Sequence, residues 1–93
     1  MRFEWDDEKS QRNKTKHGID FDTAKDLWNG SNRIEIHTSY PLENRSILIG
    51  KIGNKPWTAI YTRGGNAIRI ISVRRARRQE EKLYGKQENS KKH

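Results

Sequence analysis

Ser46-Ile-Leu-Ile-Gly-Lys-Ile52, Trp57-Thr-Ala-Ile-Tyr-Thr-Arg63 and Ala67-Ile-Arg-Ile-Ile-Ser-Val-Arg74 follow one another with only Gly53-Asn54 and Gly64-Gly65-Asn66 as turn signals between them. Three β-rich runs joined by short glycine-containing turns predict consecutive antiparallel strands. The first run is almost continuously apolar, which predicts a central strand buried on both faces. The last hairpin has two possible registers. A two-residue and a three-residue turn put Arg69 on opposite faces relative to Tyr61 and Arg63.

Moving upstream, Arg33-Ile-Glu-Ile-His37 alternates with period two and adds a strand, and Ser39–Asn44, with Pro41, is a loop. Before it the period becomes helical. Asp20 is an N-cap, and Phe21, Ala24, Leu27 and Trp28 recur on one face until Asn29-Gly30. This helix is expected to cover the sheet. Further upstream, Asp6 caps a helix with Asp7 and Glu8 in its first turn and Lys14, Lys16 and His17 in its last, an order the helix dipole favours. Gly18 suits a left-handed C-terminal position. Residues 6–17 contain no aliphatic side chain, so this helix is expected to be held weakly, because a helix polar all round has no apolar stripe to dock. Arg2-Phe-Glu-Trp5 reads as a short edge strand.

Downstream of Arg75 the chain turns helical, with Ala76, Glu80 and Leu83 or Tyr84 on one side, and residues 85–93 read as a disordered basic tail. The expected order is therefore β-α-α-β-β-β-β-α, an α+β fold with an antiparallel meander sheet packed by helices, forming a single domain over 1–84.

Ninety-three residues make one domain. The chain is 30% hydrophobic and 34% charged, which is lean for a core, yet the apolar residues gather in periodic runs between 19 and 73. Twenty Lys and Arg against twelve Asp and Glu give a net charge of +8, which implies a polyanionic partner, nucleic acid foremost. No run approaches 18 apolar residues and the N-terminus has no apolar signal segment, so the expectation is a cytoplasmic protein without membrane contact. With no cysteine there is neither a disulfide framework nor a thiolate site. The acidic residues are better read as caps and helix surface than as metal ligands, and neither a metal nor a cofactor is expected.

The densest chemical feature is Arg69-Ile-Ile-Ser-Val-Arg-Arg-Ala-Arg-Arg78, five arginines in ten residues where a strand passes into a helix. Arginine's planar fork suits bidentate phosphate recognition. Arg45 and Arg63 on neighbouring strands extend this into a basic sheet face. Arg74, Arg75, Arg77 and Arg78 would bind RNA, although Arg77 and Arg78 can equally pair Glu80 and Glu81 along a helix. Cleavage of RNA needs one group to take the 2′-OH proton, one to protonate the leaving 5′-oxygen and one to stabilise charge on phosphorus. His17 fits a helix-end cap at least as well as catalysis, His37 is a weaker candidate, and His93 is terminal. Tyr84 would stack on a base, donate a proton, or pack on the sheet. Trp57 and Tyr61 share a face with Arg63. They form either a stacking platform for single-stranded RNA or part of the core, and for Trp57, as for Trp5 and Trp28, packing is the better reading.

Several of these pieces recur in order. They are Phe3-Glu-Trp5 before an acidic helix start, Lys16-His-Gly-Ile19 with Phe21 and Ala24, Glu43 and Arg45 before Ile49-Gly50, Tyr61-Thr-Arg63, and Arg69-Ile-Ile-Ser-Val-Arg-Arg-Ala76 with Glu80 and Tyr84. Over about residues 2–84 this set resembles the BrnT family of toxins. The resemblance implies a fold similar to the RelE ribonuclease toxins, metal-independent RNA cleavage, and neutralisation by a BrnA-type ribbon-helix-helix antitoxin, with DNA bound only through the antitoxin complex. On that pattern Arg45, Arg63, Arg69, Arg74 and Arg75 form the basic active face. Glu43, Glu80, Tyr84 and His17 are the candidates for proton transfer, with base and acid unassigned among them. Family members usually carry alanines or leucines in the first helix, where this chain has Ser10, Arg12 and Asn13. The rival readings are a non-catalytic RNA-binding module and an interaction protein whose basic surface receives an acidic antitoxin segment.

Overall fold

The computed structural model describes residues 2–30, 33–37 and 45–91, with side chains through Gly85. Its elements are β1 (Arg2–Glu4), α1 (Asp7–His17), α2 (Phe21–Ala24) running into a 3-10 turn (Lys25–Asn29), β2 (Ile34–His37), β3 (Arg45–Ile52), β4 (Lys55–Gly64), β5 (Ala67–Arg75) and α3 (Arg78–Lys91). One mixed sheet of order β1-β5-β4-β3-β2 carries them. β2 to β5 pair antiparallel in succession, while β1 pairs parallel with β5. The molecule is an α+β fold.

β3 is an interior strand buried on both faces, as expected for 46–52, while the middle strand of the five is β4. The apolar density of β3 serves both faces: Leu48 joins the core cluster on one side, and Ile49 is buried on the other beside Thr58. The two faces are covered differently. Phe21, Ala24, Leu27 and Trp28 pack on Leu48, Trp57, Ala59, Tyr61, Ile68, Ile70 and Val73 to make the core. Full burial of Phe21 and Leu27 contributes about 1.5–3 kcal/mol each. Trp28 meets Phe3 edge-on at 5.3 Å and Tyr61 at 5.2 Å between ring centroids, tying β1 to the centre of the sheet. Helix α3 lies on the other face, at the end where Thr58 and Arg74 hold Glu80.

Helix α1 begins and ends as its sequence directs. Asp6 accepts from the Lys9 N–H at 3.2 Å, and Gly18 takes φ 83° while its N–H reaches the Lys14 carbonyl. Its docking corrects the expectation of a weakly held helix. The buried residues of α1 are Ser10 and Asn13, and both are used as polar clamps. The Asn13 amide donates to the carbonyls of Ile19 at 2.8 Å and Val73 at 2.9 Å, and its oxygen accepts the Val73 N–H at 3.1 Å. Ser10 Oγ accepts the Phe21 N–H at 2.9 Å. Beyond the three residues that β1 covers, Asn13 thus supplies the strand partner that the edge of β5 lacks.

Two local features set which side chains share a face. Gly64 pairs with Ala67, so the last hairpin has a two-residue turn at Gly65-Asn66, with Gly65 at φ 58°. Further along, Ile60 pairs with Ser72 but Tyr61 with Ile70, leaving Ile71 as the extra residue of a β-bulge. At the C-terminus, α3 runs from Arg78 through Lys91.

Candidate RNA-binding face

Side chains directly opposite on neighbouring strands share a face. On the face opposite α1 and α2, the registers place Arg45, Thr62, Arg69 and Glu4 in one cross-strand row. Arg45 and Arg69 stand two strands apart, about 10 Å, a spacing from which two long guanidiniums can converge on one phosphodiester. Arg69 is exposed and makes no hydrogen bond or ion pair among the described residues. The next row is Ile36, Ile47, Ile60 and Ser72, with Ile36 partly exposed at the sheet's edge. Beyond it lie Ile34, Ile49, Thr58 and Arg74.

The bulge is what unites the arginines of β5. Arg69 and Arg74 are five residues apart, and strict alternation would send them to opposite faces. The extra residue at Ile71 returns Arg74 to the face of Arg69 and turns Arg75 away.

Arg74 is anchored rather than mobile. Its Nη1 and Nη2 donate to the two Glu80 carboxylate oxygens at 2.8 and 2.9 Å. Glu80 also accepts from the Arg77 N–H at 2.7 Å and from Thr58 Oγ1 at 3.0 Å. Burial of the Glu80 carboxyl works to raise its pKa, but the hydrogen bonds from Arg74, the Arg77 N–H and Thr58, with the Arg74 charge, outweigh it and bring the pKa to about 2. The carboxylate is therefore a clasp between β5, β4 and the first turn of α3.

The remaining sequence candidates separate. Arg63 and Arg75 point to the α1/α2 side, not to the face of Arg45, Arg69 and Arg74. Arg63 meets Glu35 at 3.5 Å, and the Arg75 guanidinium lies 5.5 Å over the Trp57 ring while its Nε donates to the Pro56 carbonyl at 3.3 Å. Tyr61 is fully buried against Trp28 and its hydroxyl donates to Glu35 at 3.2 Å, so its ring belongs to the core and cannot serve as a stacking platform. Burial, the Glu35 charge and that hydrogen bond push the Tyr61 phenol up to about 12. Tyr84 is likewise buried, with the Lys51 ammonium 5.2 Å from its ring. Arg77 and Arg78 are exposed at the start of α3. His17 is half-buried and lines a concavity with Lys9, Arg12, Asn13, Lys16, Ile71 and Ser72. Glu43 lies outside the described residues.

Sequence reading did not single out Glu35. It gathers Tyr61, Arg63 and, at 3.9 Å, Arg33, beside a His37 Nδ1 to Ser46 Oγ contact of 2.8 Å. Its alternating strand position gave no sign of it, because the strands that converge on it are remote in sequence. Glu4 is also new: it stands next to Arg69 in the cross-strand row. Among the described residues, no three His, Asp or Glu side chains come together as metal ligands, and no helix is long and apolar enough to cross a membrane.

Residues 5–80, most of the chain, match the family described as the ribonuclease toxin BrnT of type II toxin–antitoxin systems. No curated protein matches the chain.

Proposed function

The chain belongs to the BrnT family of ribonuclease toxins of type II toxin–antitoxin systems, and we propose that it cleaves RNA without a metal on the sheet face that α1 and α2 leave open. The observation that carries this reading is the row Arg45–Thr62–Arg69, with Arg74 on the same face through the bulge at Ile71. Arg45 and Arg69 grip the scissile phosphate, and the half-exposed isoleucine row beside them gives the flanking base and ribose an apolar floor. A 2′-hydroxyl attacks phosphorus, the 5′-oxygen leaves, and a 2′,3′-cyclic phosphate results. The arginines stabilise the additional negative charge of the pentacoordinate transition state, an interaction made more strongly there than with the ground state.

Glu80 is a poor base at a pKa of about 2, and it acts by positioning Arg74. Proton transfer falls to His17 or Glu43, with His17 at the margin of the same face, because Tyr84 is buried beside Lys51, six residues along β3 from Arg45. The fold is of the RelE type, the toxin works in the cytoplasm, and a BrnA-type ribbon-helix-helix antitoxin neutralises it and alone carries the complex to DNA.

The test is incubation of the purified protein with end-labelled RNA in EDTA. Cleavage to products ending in a cyclic phosphate is expected. RNA left intact in EDTA but cut when magnesium is added would overturn the metal-independent mechanism.

A further inference from the structure

Helix α1 carries more positive charge than its own stability calls for. Cations stabilise a helix at its C-terminal end, which accounts for Lys14, Lys16 and His17. Lys9 sits in the first turn, where the dipole disfavours a cation, and neither Lys9 nor Lys16 has an acidic partner among the described residues. Lys9, Arg12 and Lys16, at i, i+3 and i+7, lie along one stripe of the helix. That stripe and His17 form one wall of a concavity of about 250 Å³, and Ile71 and Ser72 form the other.

Ile71 is the extra residue of the β5 bulge, and Ser72 beside it belongs to the isoleucine row next to Arg69. Three residues of extended strand separate Arg69 from Ser72, about 10 Å. The concavity therefore continues the open sheet face around the β5 edge. It is walled by flexible lysines that suit a phosphodiester as point charges rather than as a fork. Asn13 forms its base but spends its amide on Val73 and Ile19, so base recognition by that amide is not available.

We propose that this concavity is a phosphate subsite for the RNA strand flanking the cleaved bond, held by Lys9 and Lys16 with Arg12 beside them. The inference rests on the RNA-cleaving reading of the sheet face. It gives the bound strand a path, from Arg45 and Arg69 across the bulge to α1, and makes affinity depend on strand length but not on base identity.

The test uses the full chain and a Lys9→Gln/Lys16→Gln variant, with a fluorescent 2′-O-methyl RNA of about 12 nucleotides that cannot supply the attacking hydroxyl, and a second oligomer of about 4 nucleotides. Anisotropy titrations across a range of salt give the slope of log K against log [salt]. Loss of two phosphate contacts makes that slope shallower by about 1.4 for the long strand. The weakening expected at low salt is on the order of tenfold, with little change for the short oligomer. Both substituted side chains are solvent-exposed, and a melting curve checks that the fold is intact. An unchanged slope for the long strand overturns the subsite while leaving the sheet face untouched. If the parent chain shows no salt-dependent binding to either oligomer, the RNA reading itself fails.

Discussion

Asn13 and Val73, sixty residues apart, are joined by two hydrogen bonds: the Asn13 amide donates to the Val73 carbonyl at 2.9 Å and accepts the Val73 N–H at 3.1 Å. A side-chain amide thereby stands in for a neighbouring strand. Asn13→Ala leaves the Val73 N–H and carbonyl and the Ile19 carbonyl without this partner. At about 1–3 kcal/mol for each buried group left unsatisfied, partly offset by water entering the edge, the expected loss is about 3 kcal/mol. Urea unfolding of the variant beside the parent checks it. A loss within about 0.5 kcal/mol, the size of an ordinary surface substitution, would mean that α1 is held by something other than this clamp.

The Glu80 clasp makes stability depend on acidity. Its pKa in the folded protein is depressed from 4.5 to about 2, so the stabilisation is fully present above about pH 4.5 and is lost as pH falls toward 2. Its size is on the order of 3 kcal/mol. Glu80→Gln should remove that part of the pH dependence and flatten the stability profile between these limits. Thermal melts of both proteins across the interval provide the measurement, and parallel profiles would count against the clasp.

Much of the architecture was legible because it rests on period and punctuation. The helical spacing of Phe21, Ala24, Leu27 and Trp28 identified the core-facing segment, and Gly53-Asn54 and Gly64-Gly65-Asn66 separated the strands. The docking of α1 was not legible, because a search for apolar periodicity passes over Ser10 and Asn13, and their partners lie in distant segments. Grouping all the arginines on one face failed for a related reason. Nothing in Ile70-Ile-Ser-Val73 signals a bulge, and one extra residue there decides that Arg74 joins Arg69 while Arg75 does not. Long-range polar contacts such as Tyr61 to Glu35 and Thr58 to Glu80 leave no periodic trace.

The chain has three tyrosines, and Tyr61 should stand apart in an alkaline titration followed by phenolate absorbance. Burial, then the Glu35 charge, hold its phenol up to about 12. The folded value lies above the ordinary 10, so the associated stability is present below about pH 10 and is lost as pH rises toward 12. Glu35→Gln removes the charge and should lower the transition while leaving the burial contribution in place. A Tyr61→Phe variant that retains the highest-pH transition would show that another tyrosine carries it.

The two faces of the sheet can be told apart through Arg69 and Arg63, which the hairpin register sends in opposite directions. The decisive measurement is the rate of RNA cleavage in EDTA by Arg69→Ala and Arg63→Ala, each beside the parent and each checked by a melting curve. If the chemistry lies on the face opposite α1 and α2, Arg69→Ala slows cleavage at least about 100-fold with an unchanged melt. Arg63→Ala, which among the described residues removes the ion pair with Glu35, then stays within about fivefold of the parent. The reverse order, with Arg63→Ala inactive and Arg69→Ala cutting normally, would contradict the account and move the chemistry to the side of Glu35, Tyr61 and His37.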